Sequence, residues 1–315
     1  MDDSAPEPMR STTIDKLRAW VVLSRPPFHL VGLLPFALGA VLARQHIGPL
    51  RYDLFVWGAS GVVLTMLATY YAGEYWDYVE DTLTGKSGGS QFAGGSQVVQ
   101  RGLLPRRAPL VGSVIALALG LAVGVVLRSH YHTGSLTVLM SVLGMVGGFF
   151  YSTRPVRWVS TGVGELWIAF CYGWLPVAVG YYLQVGHFGP LIHWIAIPIG
   201  LSVFNVILLN EFPDYGADRT AGKRNLTVRL GRKRAAYLYA AVSAGSWMGM
   251  WLSVRSGVPA RALFFYLPTL AVSWMLTVRV LGGDWQDRAR LERMCALNIA
   301  VNLGTTAAYL LAYPW

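Results

Sequence analysis

Two short stretches of this chain carry acidic residues at the same spacing, and each ends in Gly-Lys. Residues 74–86 read EYWDYVEDTLTGK and residues 211–223 read EFPDYGADRTAGK. At a constant offset of 137 residues, Glu74/Glu211, Asp77/Asp214, Tyr78/Tyr215, Asp81/Asp218, Gly85/Gly222 and Lys86/Lys223 are identical pairs, and Tyr75 pairs with Phe212. In a helix, positions i, i+3 and i+7 share a face, so each set predicts one acidic stripe. Like charges at this spacing repel, and the penalty grows near a bilayer. Two facing stripes therefore need cations. Hard carboxylate oxygens suit Mg²⁺, which takes one or two carboxylates and completes its shell with water and phosphate. Asp77, Asp81, Asp214 and Asp218 are the candidate metal ligands and catalytic residues. Lys86, Lys223 and the neighbouring Arg224 can hold the remaining charge of a diphosphate, and the glycines let the backbone approach it. A lone D-x-x-x-D would read as a solvated, capped helix end; repetition of the whole pattern, basic residue included, argues against that.

The elements that position these residues are apolar helices. Of the 315 residues 54% are hydrophobic and 13% charged, about half the charge of an ordinary soluble domain. Apolar segments long enough to cross a bilayer lie at about 28–45, 53–73, 108–127, 134–151, 162–184, 191–212, 235–254, 261–281 and 294–313. With the N-terminus in the cytoplasm, only Arg44, Arg51, Arg128, Arg255 and Arg261 of the 26 Lys and Arg fall on the far side, as the positive-inside rule requires. The expected fold is an all-α polytopic bundle of nine transmembrane helices. Residues 1–27 form a polar cytoplasmic segment without the core of a cleavable signal, and residues 28–315 a single membrane domain. The net charge of +10 is accounted for by topology, not by nucleic-acid binding. Cys171 and Cys295 lie in apolar stretches and read as small buried hydrophobes.

With these motifs in place, the chain resembles the UbiA superfamily of intramembrane prenyltransferases along nearly its whole length. That superfamily carries two motifs of the form N-x-x-x-D-x-x-x-D. The second is complete here as Asn210, Asp214 and Asp218; in the first, Gly73 stands in the Asn position, leaving Asp77 and Asp81, with Glu74 or a water to replace the lost ligand. Further matching segments are SRPPFH at 24–29, FFYSTRPVRW at 149–158 and GVGELW at 162–167. The resemblance places Arg25, Tyr151, Arg154 and Lys223 around the diphosphate or the prenyl head. It implies a prenyl diphosphate donor and an aromatic acceptor within membrane lipid. The segment GGSQVVQRG is similar to loops of the branch that prenylates 1,4-dihydroxy-2-naphthoate in menaquinone synthesis, and reads as a lid over the site.

The implied mechanism is ionisation of the allylic C–O bond, with the departing diphosphate held by Mg²⁺ and basic residues. Tyr70, Tyr71, Phe149, Phe150, Tyr151 and Trp167 lie at the depth where aromatic faces can stabilise a carbocation, although interfacial packing explains aromatics there equally well. Arg154 or Arg157 can hold an acceptor carboxylate. Glu165 reads either as a helix-terminus charge or as a site residue, the Arg229–Arg234 cluster as a topology determinant, and His130 and His132 as solvated loop residues. Acceptors such as 4-hydroxybenzoate, homogentisate, a chlorophyll precursor or a carotenoid share the same aspartates. Two other classes stay open on residues alone: an ion-coupled transporter and an inactive relative that binds lipid diphosphates. The expected location is a bacterial plasma membrane with the acidic ends facing the cytoplasm. Prenyl chain length and oligomeric state leave no mark in the sequence.

Overall fold

The computed structural model describes residues 12–86, 90 and 92–313. Most of the expected polar N-terminal segment's first half, with Arg10, and part of the Gly-rich loop lie outside them. The regular structure is helical throughout, with no strand among the described residues. In chain order the helices are α1 Thr13–Leu23, α2 His29–Ile47, α3 Tyr52–Trp76, α4 Tyr78–Lys86, α5 Ala108–Ser129, α6 Leu136–Ser152, α7 Gly164–Ala169, α8 Leu175–Val185, α9 Pro190–Thr220, α10 Leu226–Leu230, α11 Arg232–Arg255, α12 Arg261–Gly282 and α13 Arg288–Ala312. A π-helical turn, Phe170–Trp174, joins α7 to α8.

Each apolar segment expected from the sequence falls on a helix, but among the described residues seven helical stretches are long and apolar enough to cross a membrane. The shortfall has two causes. Helix α6 has only 17 residues, and α11 is diluted by Tyr237, Tyr239, Ser243, Ser246, Trp247 and Trp251. Outward-facing apolar rows confirm the solvent: Val111, Ile115 and Leu119 on α5, and Phe264, Leu267, Trp274 and Val278 on α12, are all exposed. Rows of this size face lipid, not water.

The packing repeats as the sequence does. Helix α3 packs on α5, and α9, its counterpart 137 residues on, packs on α11; α13 then closes against α9, α12 and α2. Helices α2 and α8 approach closely because both carry glycine at the crossing. A Cβ on Gly39 would collide with the Val177 carbonyl, and one on Gly180 with the Phe36 carbonyl. Such small-residue contacts bring membrane helices together where no hydrophobic drive exists. Between α9, α11 and α13 the glue is polar. Asn205 donates to the Tyr239 carbonyl at 3.1 Å, Tyr239 donates to Asn298 at 2.9 Å, and Asn298 donates to the Asn205 carbonyl at 2.8 Å.

Helix α9 holds two internal prolines, and at Pro213 another group reaches the carbonyl left without its donor. Pro213 cannot donate to Leu209, and the thiol of Cys295 points at that carbonyl at 3.8 Å. Ser246 donates to the Pro198 carbonyl at 3.0 Å. Both cysteines are free thiols.

Replacing Gly180 by Val is expected to cost about 3 kcal/mol of stability by overpacking, read as a fall in Tm in detergent. The control Gly282→Ala, with no atom within 4 Å of the added Cβ, should leave Tm within error of wild type.

Candidate active site

The two acidic repeats meet at one end of the bundle around a cavity of about 230 Å³. Its wall includes Asp77, Asp81, Asn210, Asp214, Asp218, Lys223, Arg25 and Tyr151. The halves are not equivalent. Helix α9 runs unbroken through Asp214 and Asp218. Helix α3 stops at Trp76, and Asp77 leaves the helical conformation (φ −92°, ψ 15°) before α4 begins. The single acidic stripe expected over Glu74, Asp77 and Asp81 is therefore split over two helices. The Asp81 N–H still donates to the Asp77 carbonyl at 2.9 Å, which keeps the two residues one turn apart.

Glu74 lies in the cavity wall with its carboxylate already held by protein donors. Its oxygens accept from Arg25 Nη2 at 3.0 Å, Ser96 N at 2.7 Å and Ser96 Oγ at 2.8 Å, and its side chain is fully buried. Arg157 pairs through Nη2 with Asp77 at 3.1 Å and also with Glu80, while its buried Nε has no hydrogen-bond partner. Both arginines hold left-handed backbone conformations (φ 50° at Arg25, 48° at Arg157), uncommon for residues other than glycine. Strain of this kind collects at functional sites, and here each instance aims a guanidinium at the acidic end of α3.

The expected basic partners separate. Lys223 lies 3.4 Å from Asp218 with its side chain largely buried. Burial opposes its charge, but Asp218, Asp77 and Asp214 outweigh this and hold its pKa well above the ordinary lysine value. Lys86, Arg154 and Arg224 are exposed and outside the cavity wall. The reason is local. At Gly222 (φ 78°) the chain turns back, with Lys223 between α9 and α10, whereas Lys86 is the last residue of α4 and is exposed.

Helix α10 is held by three side chains from three elements. The Leu226 N–H donates to Glu165 at 2.8 Å, the Thr227 N–H to Glu211 at 3.0 Å and the Val228 N–H to Asn225 at 2.9 Å. Asn225, completely buried, also donates to Asp218 at 2.7 Å. Glu165 thus lies in the first turn of α7 yet caps a different helix. Arg229 in the basic cluster is tied to the Arg224 and Ser160 carbonyls at 2.7 and 3.2 Å, a structural task beyond topology.

Part of the Gly-rich loop lies over the aspartates. Gly94 N donates to Asp214 at 2.9 Å, as does Thr84 Oγ1, and Gln97 donates to the Asp81 carbonyl at 2.7 Å. Gly94 and Gly95 have φ of 73° and 67°, and a Cβ on Gly95 would run into the Asp81 carboxylate. Only glycine allows so close a cover. Beneath it, burial with Asp77 and Glu74 nearby pushes the Asp81 pKa well above the usual carboxylate range.

The chemistry of this donor set fits a hard cation. Among the described residues no three acidic, His or Cys side chains converge into a ready cage, so any cation here needs further oxygens from a ligand, the habit of Mg²⁺. Asn210 Oδ1 is buried in the cavity wall without a hydrogen-bond partner, an oxygen still to be satisfied. Of the expected aromatics, Tyr70 and Tyr151 line the cavity. Tyr71 packs on Trp20, Phe149 on Phe150, and Trp167 on Trp158. Tyr172, Ser152, Asn225 and Thr84 were missed by sequence reasoning. Ser152 lies inside the segment FFYSTRPVRW, and Asn225 two residues past the second Gly-Lys; a hydroxyl or amide there has no charge or spacing to mark it. Tyr172 hydrogen-bonds to Tyr70. With Thr69 and Ile168, Tyr172 also borders a second, apolar pocket of about 80 Å³ between α2, α3, α5, α6 and α8.

Comparison with known proteins agrees with this geometry. The chain is 25% identical over 295 residues to the 1,4-dihydroxy-2-naphthoate octaprenyltransferase of Bacillus subtilis (strain 168), covering 92% of this chain and 89% of that protein. An apo UbiA homolog from Aeropyrum pernix K1 superposes with a TM-score of 0.67 at 19% identity, covering 90% of this chain and 97% of that one. A UbiA homolog from Archaeoglobus fulgidus, solved with GPP and Mg²⁺, superposes with a TM-score of 0.64 at 16% identity over 93% of this chain and 99% of that one. Residues 32–302 match the UbiA prenyltransferase family. A membrane bundle whose duplicated aspartates converge on one cavity, and a family match spanning most of the chain, set aside the transporter reading: this integral membrane protein belongs to the UbiA prenyltransferase family and is a prenyltransferase.

Proposed function

We propose that the protein transfers a prenyl group from a Mg²⁺-bound prenyl diphosphate to a membrane-held aromatic acceptor, with 1,4-dihydroxy-2-naphthoate as the acceptor. The observation that carries the first half is the convergence of Asp77, Asp81, Asp214, Asp218 and the unpartnered Asn210 oxygen on one cavity with Lys223 in its wall. The naphthoate half rests on the Bacillus subtilis relative, whose name gives that acceptor. Asp77, Asp81, Asn210, Asp214 and Asp218 would hold the metal. When bound, Mg²⁺ would neutralise charge developing on the leaving diphosphate.

The side chains around it perform the rest. Lys223 holds the diphosphate oxygens, and Arg25, on the rim between this cavity and an open groove, meets an anionic group arriving from water. The allylic C–O bond breaks with its electron pair leaving on the diphosphate oxygen. Tyr70, Tyr151 and Tyr172 face the carbon left behind and exclude water from it. An electron-rich ring carbon of the acceptor supplies the pair for the new C–C bond. For a carboxylated acceptor, loss of CO₂ returns a pair to the ring, so no protein base is consumed. The apolar pocket beside Tyr172 suits the prenyl tail. The acidic end of the bundle faces the cytoplasm of a bacterial plasma membrane, in keeping with the lysine and arginine distribution.

Purified protein with Mg²⁺, geranylgeranyl diphosphate and 1,4-dihydroxy-2-naphthoate should yield prenylated naphthoquinol. Asp77→Ala and Asp214→Ala should each lower kcat/KM by at least about 100-fold. Activity surviving both substitutions would overturn the site, and turnover of 4-hydroxybenzoate in preference to the naphthoate would reassign the acceptor. For orientation, a single cysteine introduced at Lys86 in a Cys171→Ala/Cys295→Ala background should react with an impermeant maleimide only in inverted vesicles. Labelling in right-side-out vesicles instead would reverse the topology.

A further inference from the structure

The internal repeat breaks at one position that bears on the metal. At the offset of 137, Asn210 corresponds to Gly73. The second half-site therefore offers a neutral side-chain oxygen beside its two aspartates, and the first half-site offers none from α3. The space for one exists. A Cβ built on Gly73 would lie 3.7 Å from Ser152 Oγ and 4.0 Å from Asp77 Oδ2, ordinary contact distances, with nothing else within 4 Å. An asparagine side chain at 73 would reach the place that the Ser152 hydroxyl holds.

Ser152 ends α6, is 3% exposed and lies in the cavity wall with Gly73 and Asp77. Its hydroxyl donates to Asp77 Oδ2 at 2.6 Å, while Arg157 holds Asp77 Oδ1 at 3.1 Å. A hydroxyl that donates its one proton keeps its oxygen lone pairs, and a bond this short to a carboxylate is a strong one. We propose that Ser152 supplies the neutral oxygen of the first half-site, in place of the amide absent at Gly73. The same hydroxyl fixes the plane of Asp77, so α6 completes a cation site whose acidic ligands come from α3 and α4. This rests on reading the cavity as a metal–diphosphate site.

The test uses Mn²⁺ as a paramagnetic stand-in for Mg²⁺, titrated by EPR against the full-length protein in detergent with inorganic diphosphate. Ser152→Ala should weaken Mn²⁺ binding by about 10- to 100-fold, and adding Gly73→Asn to that variant should recover most of the loss. Ser152→Cys, nearly isosteric and so a safeguard against misfolding, should weaken Mn²⁺ likewise while raising preference for the softer Cd²⁺. Mn²⁺ binding by Ser152→Ala equal to wild type would overturn the inference and leave the metal–diphosphate reading standing. Failure of Gly73→Asn to restore binding would assign the Ser152 effect to packing and overturn it as well. A wild-type protein that binds no Mn²⁺ with diphosphate would remove both readings together.

Discussion

Carboxylates gathered in a partly dehydrated pocket repel one another, and the rest of this structure answers that repulsion. Two like charges about 4 Å apart oppose each other by about 4 kcal/mol at an effective dielectric near 20. The chain places Glu74, Asp77, Glu80, Asp81, Glu165, Glu211, Asp214 and Asp218 within one end of the bundle. All but Asp81 are tied through their carboxylates to at least one donor or cation. Arg25 and the Ser96 backbone hold Glu74; Arg157 spans Asp77 and Glu80; α10 offers its first N–H groups to Glu165 and Glu211. The four motif aspartates all line the cavity, so the negative potential of this end of the bundle is concentrated there.

The aspartates were legible because the sequence states them twice. A duplicated pattern with identical spacing is its own control, and the cavity gathers all four. The basic residues were less legible for the same reason. Symmetry suggested equal roles for Lys86 and Lys223, but a lysine's direction depends on the chain around it, and among the described residues no helix follows α4 as α10 follows α9. Glu165 could be identified as charged but not assigned, because the helix it caps lies about sixty residues further along. Ser152 was invisible: its importance comes from Asp77 and Gly73, which reach it only through tertiary packing. Helix positions followed from apolar length, whereas the interruption at Asp77 left no proline, glycine or composition change to mark it.

The lipid solvent explains features that would be costly in water. A thiol from α13 meets the carbonyl that Pro213 leaves without a donor, and the buried Asn205 and Asn298 amide groups donate across helices, since no bulk water is available to receive them. Free thiols serve the same end, Cys295 at the Leu209 carbonyl and Cys171 in the wall of the apolar pocket.

The unequal ends of the two repeats give the molecule a fixed jaw and a hinged one. Helix α9 carries Asp214 and Asp218 on a single rod whose tip is bolted through α10 to α7. The opposite aspartates straddle the joint between α3 and α4, and the loop that covers the site is attached beyond that joint. Helix α9 thus fixes Asp214 and Asp218 in one register, whereas where Asp81 stands relative to α3 is set by the backbone angles of a single residue, Asp77.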